Sequence, residues 1–140
     1  MRTTSDTELA SSLRLALART ARRLRQEAGT GLSPSLTAAL ATVERCGPLT
    51  PSELAGLERV ARPTVTRVLI RLEEAGLISR TPDPADRRST LVAITPAGAA
   101  LLAEARTRKD AFLSERLDGL SPADRATLAR AAAILEGLLE

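Results

Sequence analysis

Apolar residues in the first part of the chain keep a helical rhythm. Over residues 7 to about 28, Leu9, Leu13, Leu17, Ala21 and Leu24 recur at every third or fourth position, with Arg14, Arg19, Arg22, Arg23 and Arg25 between them. Gly29 and Gly31 end the amphipathic helix so predicted. Ser33-Pro34 supplies an N-cap and a first-turn proline for a second helix through Leu36, Leu40 and Val43, which stops near Cys46-Gly47-Pro48. Thr50-Pro51-Ser52-Glu53 is a capping box with proline inside it, opening a short third helix over residues 52 to about 57. Pro63 fits the first turn of a fourth helix over 64–75, with Val65, Val68, Leu69 and Leu72 on its buried side and Gly76 at its end. Residues 77–80 and 90–94 have strand-like content and flank a polar, turn-rich stretch, which predicts a two-stranded hairpin with a long charged tip. Thr95-Pro96 caps a fifth helix with Leu101, Leu102, Ala105, Phe112, Leu113 and Leu117, and Ser121-Pro122 opens a sixth with Leu128, Ala131, Leu135 and Leu138.

Composition agrees with this mainly helical order. Ala (25) and Leu (24) supply most of the 44% hydrophobic fraction of a 140-residue chain, which is one domain's worth of sequence. The absence of His, Trp and Tyr excludes His-dependent metal sites, Ser–His and Cys–His nucleophile pairs and aromatic base-stacking platforms. No cofactor or metal is expected, and no acid/base or nucleophile constellation marks an enzyme. Cys46 is the only cysteine and cannot form an internal disulfide. No apolar run approaches the length of a membrane span, and the start of the chain, Met1 and Arg2 followed by Thr, Ser and Asp, lacks a hydrophobic signal region. A cytoplasmic protein with no membrane partner is the expectation.

Nineteen of the twenty basic residues are Arg. An Arg- and Ala-rich, Lys-poor chain also fits a GC-rich genome, so distribution is more telling than number. Residues 59–90 carry seven Arg against four acids, between a stretch with no base (47–58) and a C-terminal part with six bases against seven acids (91–140). That basic block coincides with a short capped helix, a turn, a second helix and a hairpin, the proportions of a winged helix-turn-helix. On the second helix Arg62, Pro63, Thr64, Thr66, Arg67 and Arg71 lie among the apolar residues that would hold it in place. Positions 63, 67 and 71 share one exposed stripe, where Arg can pair with guanine O6 and N7 and Thr can offer a hydroxyl or a methyl. Asp86-Arg87-Arg88-Ser89 forms the hairpin tip, and Arg on a thin projection suits the minor groove. Asp86 would repel phosphate if it stood free, so it is expected to orient an Arg. The alternative for each element is a solvated face: Glu73 and Glu74 pairing with the helix, and the tip charges pairing with one another.

Leu49-Thr-Pro-Ser-Glu-Leu-Ala55, Val60-Ala-Arg-Pro-Thr-Val-Thr-Arg67, Arg71-Leu-Glu-Glu-Ala-Gly-Leu-Ile78 and above all Asp83-Pro-Ala-Asp-Arg-Arg-Ser-Thr-Leu-Val-Ala-Ile-Thr-Pro-Ala-Gly98 resemble the multiple-antibiotic-resistance regulator (MarR) family of bacterial winged helix-turn-helix repressors. The wing motif, D-x-R followed by a strand and T-x-x-G, is the most specific part. The resemblance implies a mainly α fold, a single domain over 1–140 with a winged helix-turn-helix lobe at 33–95 and dimerisation helices at 7–28 and 96–139. It implies a homodimeric repressor on a palindromic operator in double-stranded DNA, with Ser52 and the residues just named as its DNA contacts and the residue matching Arg88 in the minor groove. It also implies small phenolic or lipophilic effectors between the dimer helices and the DNA-binding lobe. Relatives often carry Gly where this chain has Glu58-Arg59, a capping hydroxyl at Ala61 and Asp at Ile70.

The residues themselves also point to a dimer. Leu9, Leu13 and Leu17 at one end and Leu128, Leu135 and Leu138 at the other form apolar stripes too wide for a small winged domain to cover alone. In thiol-sensing relatives the reactive cysteine lies in the first helix, whereas Cys46 ends the second, so a buried or inert thiol is expected. Two further readings remain open: a sequence-tolerant architectural DNA-binding protein, and a protein-interaction module on a winged-helix scaffold.

Overall fold

The structure, a computed structural model, describes residues 5–140; Met1 and Arg2, read above for a signal region, lie outside that range. Its elements run α1 (Asp6–Ala28), α2 (Pro34–Cys46), α3 (Pro51–Glu58), α4 (Arg62–Glu74), β1 (Ile78–Pro82), β2 (Thr90–Ile94), α5 (Pro96–Leu117) and α6 (Pro122–Gly137). Four helix starts use the devices visible in the sequence: Ser33, Thr50, Thr95 and Ser121 accept the backbone N–H of Leu36, Glu53, Gly98 and Asp124, each with proline in the first turn. The start of α4 does not, because Ala61 caps it with no side-chain bond. The hairpin begins one residue later than its composition suggests and runs through Pro82. Leu77 instead belongs to the helix end, its N–H donating to the Leu72 carbonyl behind Gly76, whose φ is +74°.

The chain divides into two compact units, one spanning Ala28–Arg106 and the other combining the two terminal segments. Among the described residues, every buried one lies in the first. Leu40 and Val43 of α2, Leu49, Leu54 of α3, Leu69 and Leu72 of α4 and Val92 of β2 are fully buried together, and each such side chain contributes roughly 1.5–3 kcal/mol. Leu49 is stitched to the sheet as well, exchanging both backbone hydrogen bonds with Val92. In the terminal unit no described residue is buried. Leu9, Leu13, Leu17, Leu128 and Leu138 are exposed, Leu135 half so, and Phe112 is sandwiched by the guanidinium groups of Arg23 and Arg116 at 5.2 and 3.5 Å.

Two backbone positions hold the first unit in shape. Where β2 passes into α5, Thr95 donates its hydroxyl to the Gly76 carbonyl at 2.6 Å and accepts the Gly98 N–H at 3.1 Å, while its own N–H bonds Leu77. A Cβ on Gly98 would fall on the Leu77 carbonyl oxygen, which explains the T-x-x-G end of the wing motif. The second position is Arg59, which ends α3 in the left-handed region at φ 54°, ψ 45° where glycine would be unstrained.

Substitutions at these positions are expected to have opposite signs. Gly98→Ala should lower stability by about 1–3 kcal/mol through overpacking against backbone. Arg59→Gly should raise it by about 1 kcal/mol by relieving the left-handed strain. Urea midpoints of the two variants against the parent check both directions.

Candidate nucleic-acid interface

Burial of α4 decides which of its residues face outward. Val65, Leu69 and Leu72 are buried and Val68 is half-buried, so the opposite side presents Pro63, Arg67, Ile70 and Arg71, all exposed. Neither Arg67 nor Arg71 takes part in an ion pair among the described residues. Of the two acids that would neutralise a solvated face, Glu73 lies 2.8 Å from Nε of Arg80 and ties the end of α4 to β1, while Glu74 is exposed and outside the described ion pairs. Thr64, Arg67, Val68 and Arg71 form one wall of a cleft of about 230 Å³ whose other wall is Ser33, Ser35 and Leu36 at the start of α2.

The remaining candidates near α4 are interlinked. Arg62 donates from its guanidinium to the Ser52 hydroxyl, joining the first turns of α3 and α4. Thr66 donates its hydroxyl to the Arg62 carbonyl at 3.0 Å, so that proton is turned back onto the helix. Sequence reasoning missed Ser33 and Ser35 as neighbours of Arg67 and Arg71. Ser33 was legible as an N-cap, but its proximity to α4 arises only from the packing of α2 on that helix.

The hairpin tip is built by two successive aspartate turns. Asp83 accepts the Ala85 N–H and Asp86 the Arg88 N–H, each at 2.9 Å, and the backbone closes with Asp83 N–H to Ser89 and Ser89 N–H to Asp86. Asp86, expected to orient an Arg, thus acts on Arg88 through that residue's backbone amide. Arg87 and Arg88 are exposed and outside the described ion pairs, and Ser89 is half-buried. The alternative in which the tip charges merely neutralise one another does not describe this turn. Cys46 is exposed at the end of α2, so of the expected buried or inert thiol the burial is corrected: the helix stops at Gly47 before the side chain is enclosed.

Comparison with known proteins matches these elements as a set. The family model described as "MarR family" matches residues 32–90. The chain is 39% identical over 137 residues to an uncharacterized helix-turn-helix-type transcriptional regulator of Mycobacterium bovis, covering 97% of this chain and 96% of that one. The crystal structure of a putative transcriptional regulator from Pseudomonas aeruginosa PA01 superposes with a TM-score of 0.88 at 34% identity, covering 99% of both chains. A mutant of MepR from S. aureus, solved bound to an oligodeoxyribonucleotide, shares the fold with a TM-score of 0.72 at 18% identity over 94% of this chain and 98% of that one.

The aspartate turn separates charge from shape. Asp86→Ala removes a negative charge and the acceptor for the Arg88 amide, and should weaken binding to duplex DNA several-fold although the tip becomes more positive. Asp86→Asn removes only the charge, keeps an acceptor, and should bind at least as tightly as the parent. Fluorescence anisotropy on a fixed duplex at constant salt measures both; tighter binding by Asp86→Ala would show that charge alone governs the tip.

Proposed function

The chain belongs to the MarR family of transcription regulators, built on a DNA-binding winged helix, and from that premise we propose that it is a homodimeric repressor of a palindromic operator. One observation carries the reading: Arg67 and Arg71 stand exposed and unpaired on the face of α4 opposite its buried side. In the major groove such a face meets base edges, and guanine offers Arg two acceptors in the geometry of its fork. Ser52 and Arg62, at the first turns of α3 and α4, take the flanking phosphates. Arg87 and Arg88 enter the minor groove, carried there by a tip whose backbone is fixed by Asp83 and Asp86. The MepR mutant seen with an oligodeoxyribonucleotide lends the same fold a DNA-bound precedent. The architectural alternative is separated from this reading by the specificity ratio measured below.

Dimerisation follows from what the terminal helices lack. The helical residues 6–27 and 107–137, none of them buried, have little to offset the entropy of ordering them. Leu113, Leu117, Leu128, Ala129 and Ala132, with Arg125, line a mostly apolar cleft of about 550 Å³ between α5 and α6 that side chains of a second copy would fill. The dimer in turn supplies the two half-sites of a palindrome. Release by a small lipophilic or phenolic effector belongs to the same reading.

The two DNA-reading elements should fail differently. Arg67→Ala is expected to cost about 1–3 kcal/mol on a duplex selected by the protein and much less on a scrambled one. Arg88→Ala should weaken both duplexes more evenly and reduce the salt slope by about one. Anisotropy titrations at several salt concentrations measure this, and equal losses on both duplexes for Arg67→Ala would overturn its assignment. Light scattering should find a dimer at micromolar concentration; a folded monomer there would overturn the homodimer.

A further inference from the structure

The outward face of α4 is chemically divided. At 3.6 residues per turn, Pro63, Thr66 and Ile70 (i, i+3, i+7) form one ridge and Arg67 and Arg71 (i, i+4) the ridge beside it. All five are exposed. The first ridge is apolar throughout. Pro63 contributes a ring without an N–H, the Thr66 hydroxyl proton is committed to the Arg62 carbonyl so that its methyl group is left, and Ile70 exposes 46% of its surface. No member of this ridge lines the two clefts that α4 forms against α2, where its lining residues are Thr64, Val65, Arg67, Val68 and Arg71. An isoleucine standing in water beside two unpaired arginines is without a packing role in the chain itself.

We propose that the Pro63, Thr66 and Ile70 ridge reads thymine by its C5-methyl group, so that each half-site places thymine next to the guanine read by Arg67. This rests on the DNA-reading function proposed above. Thymine is the only base that presents a methyl group in the major groove, and an apolar side chain is its natural complement. From Pro63 to Ile70 the helix rises about 10 Å, roughly three base-pair steps. The ridge and the arginines therefore run side by side over the same short stretch of groove. The adjacent basic ridge supplies attraction to the anionic duplex and registers the apolar ridge against it; Ile70 and Thr66 add discrimination between thymine and cytosine or uracil.

The test replaces thymine by deoxyuridine, which lacks only that methyl group. Duplexes bound by the parent are selected from a pool with a random core, and one enriched sequence is resynthesised with each thymine changed in turn. Binding is read by anisotropy at fixed salt for the parent, Ile70→Ala and Thr66→Ser, with urea midpoints confirming that both variants, altered at exposed positions, remain folded. At one or more thymines in each half-site the parent should lose about fourfold in affinity, the worth of one buried methyl group. At the thymine each residue meets, the corresponding variant should lose nothing further. If the pool yields an enriched sequence but the parent tolerates deoxyuridine everywhere, or both variants lose as much as the parent does, the thymine reading is overturned and the DNA-binding reading stands. If the pool yields no enriched sequence, sequence-specific binding itself fails and this inference with it.

Discussion

The seating of α4 in the core of the first unit is the constraint from which the candidate site follows. Val65, Leu69 and Leu72 are buried with Leu40, Leu54 and Val92, and no rotation of the helix keeps all three covered while changing which side faces out. Arg67, Arg71, Pro63 and Ile70 are presented outward because their neighbours at helical spacing are committed inward. A face intended to match base edges must be held within a fraction of an ångström, and side chains packed at crystalline density provide that where a surface loop would not. The ion pair between Arg80 and Glu73 strengthens the same arrangement from the sheet side.

The hairpin is held by hydrogen bonds rather than by a core. At its base, Thr95, Gly76 and Leu77 fasten strand, helix end and the following helix through three bonds, with Gly98 leaving room for the approach. At its tip, Asp83 and Asp86 spend their carboxylates on backbone amides. An acid beside two arginines is thereby compatible with an anionic partner. Its charge is partly engaged by the amide dipole, and what it contributes is the conformation from which Arg87 and Arg88 project.

Much of this was legible in the sequence for an identifiable reason: caps and periodicity are local. Ser33-Pro34, Thr50-Pro51 and Ser121-Pro122 open helices where their chemistry says they should, and Val65, Leu69 and Leu72 reveal the inner face of α4 by spacing alone. The family resemblance, carried by the wing motif, led to the same fold. What the sequence left hidden depends on contacts between distant segments or on backbone geometry. The diversion of Glu73 to Arg80, the nearness of Ser33 to Arg71, and the exposure of Cys46 are set by packing. Arg59 takes the left-handed conformation at the end of α3, which no local pattern around an arginine announces. Asp86 was recognised as a partner of Arg88, yet no rule of spacing distinguishes a bond to its amide from one to its guanidinium.

Whether the outer face of α4, fixed by the core behind it, reads base edges in the major groove is decided by replacing each guanine of a selected duplex in turn with 7-deazaguanine, which deletes the N7 acceptor and leaves the minor groove and the backbone unchanged. One such change in each half-site should weaken the parent about tenfold, as loss of one of two paired bonds should, and add little to the loss already suffered by Arg67→Ala. Indifference of the parent to every such replacement would contradict that reading.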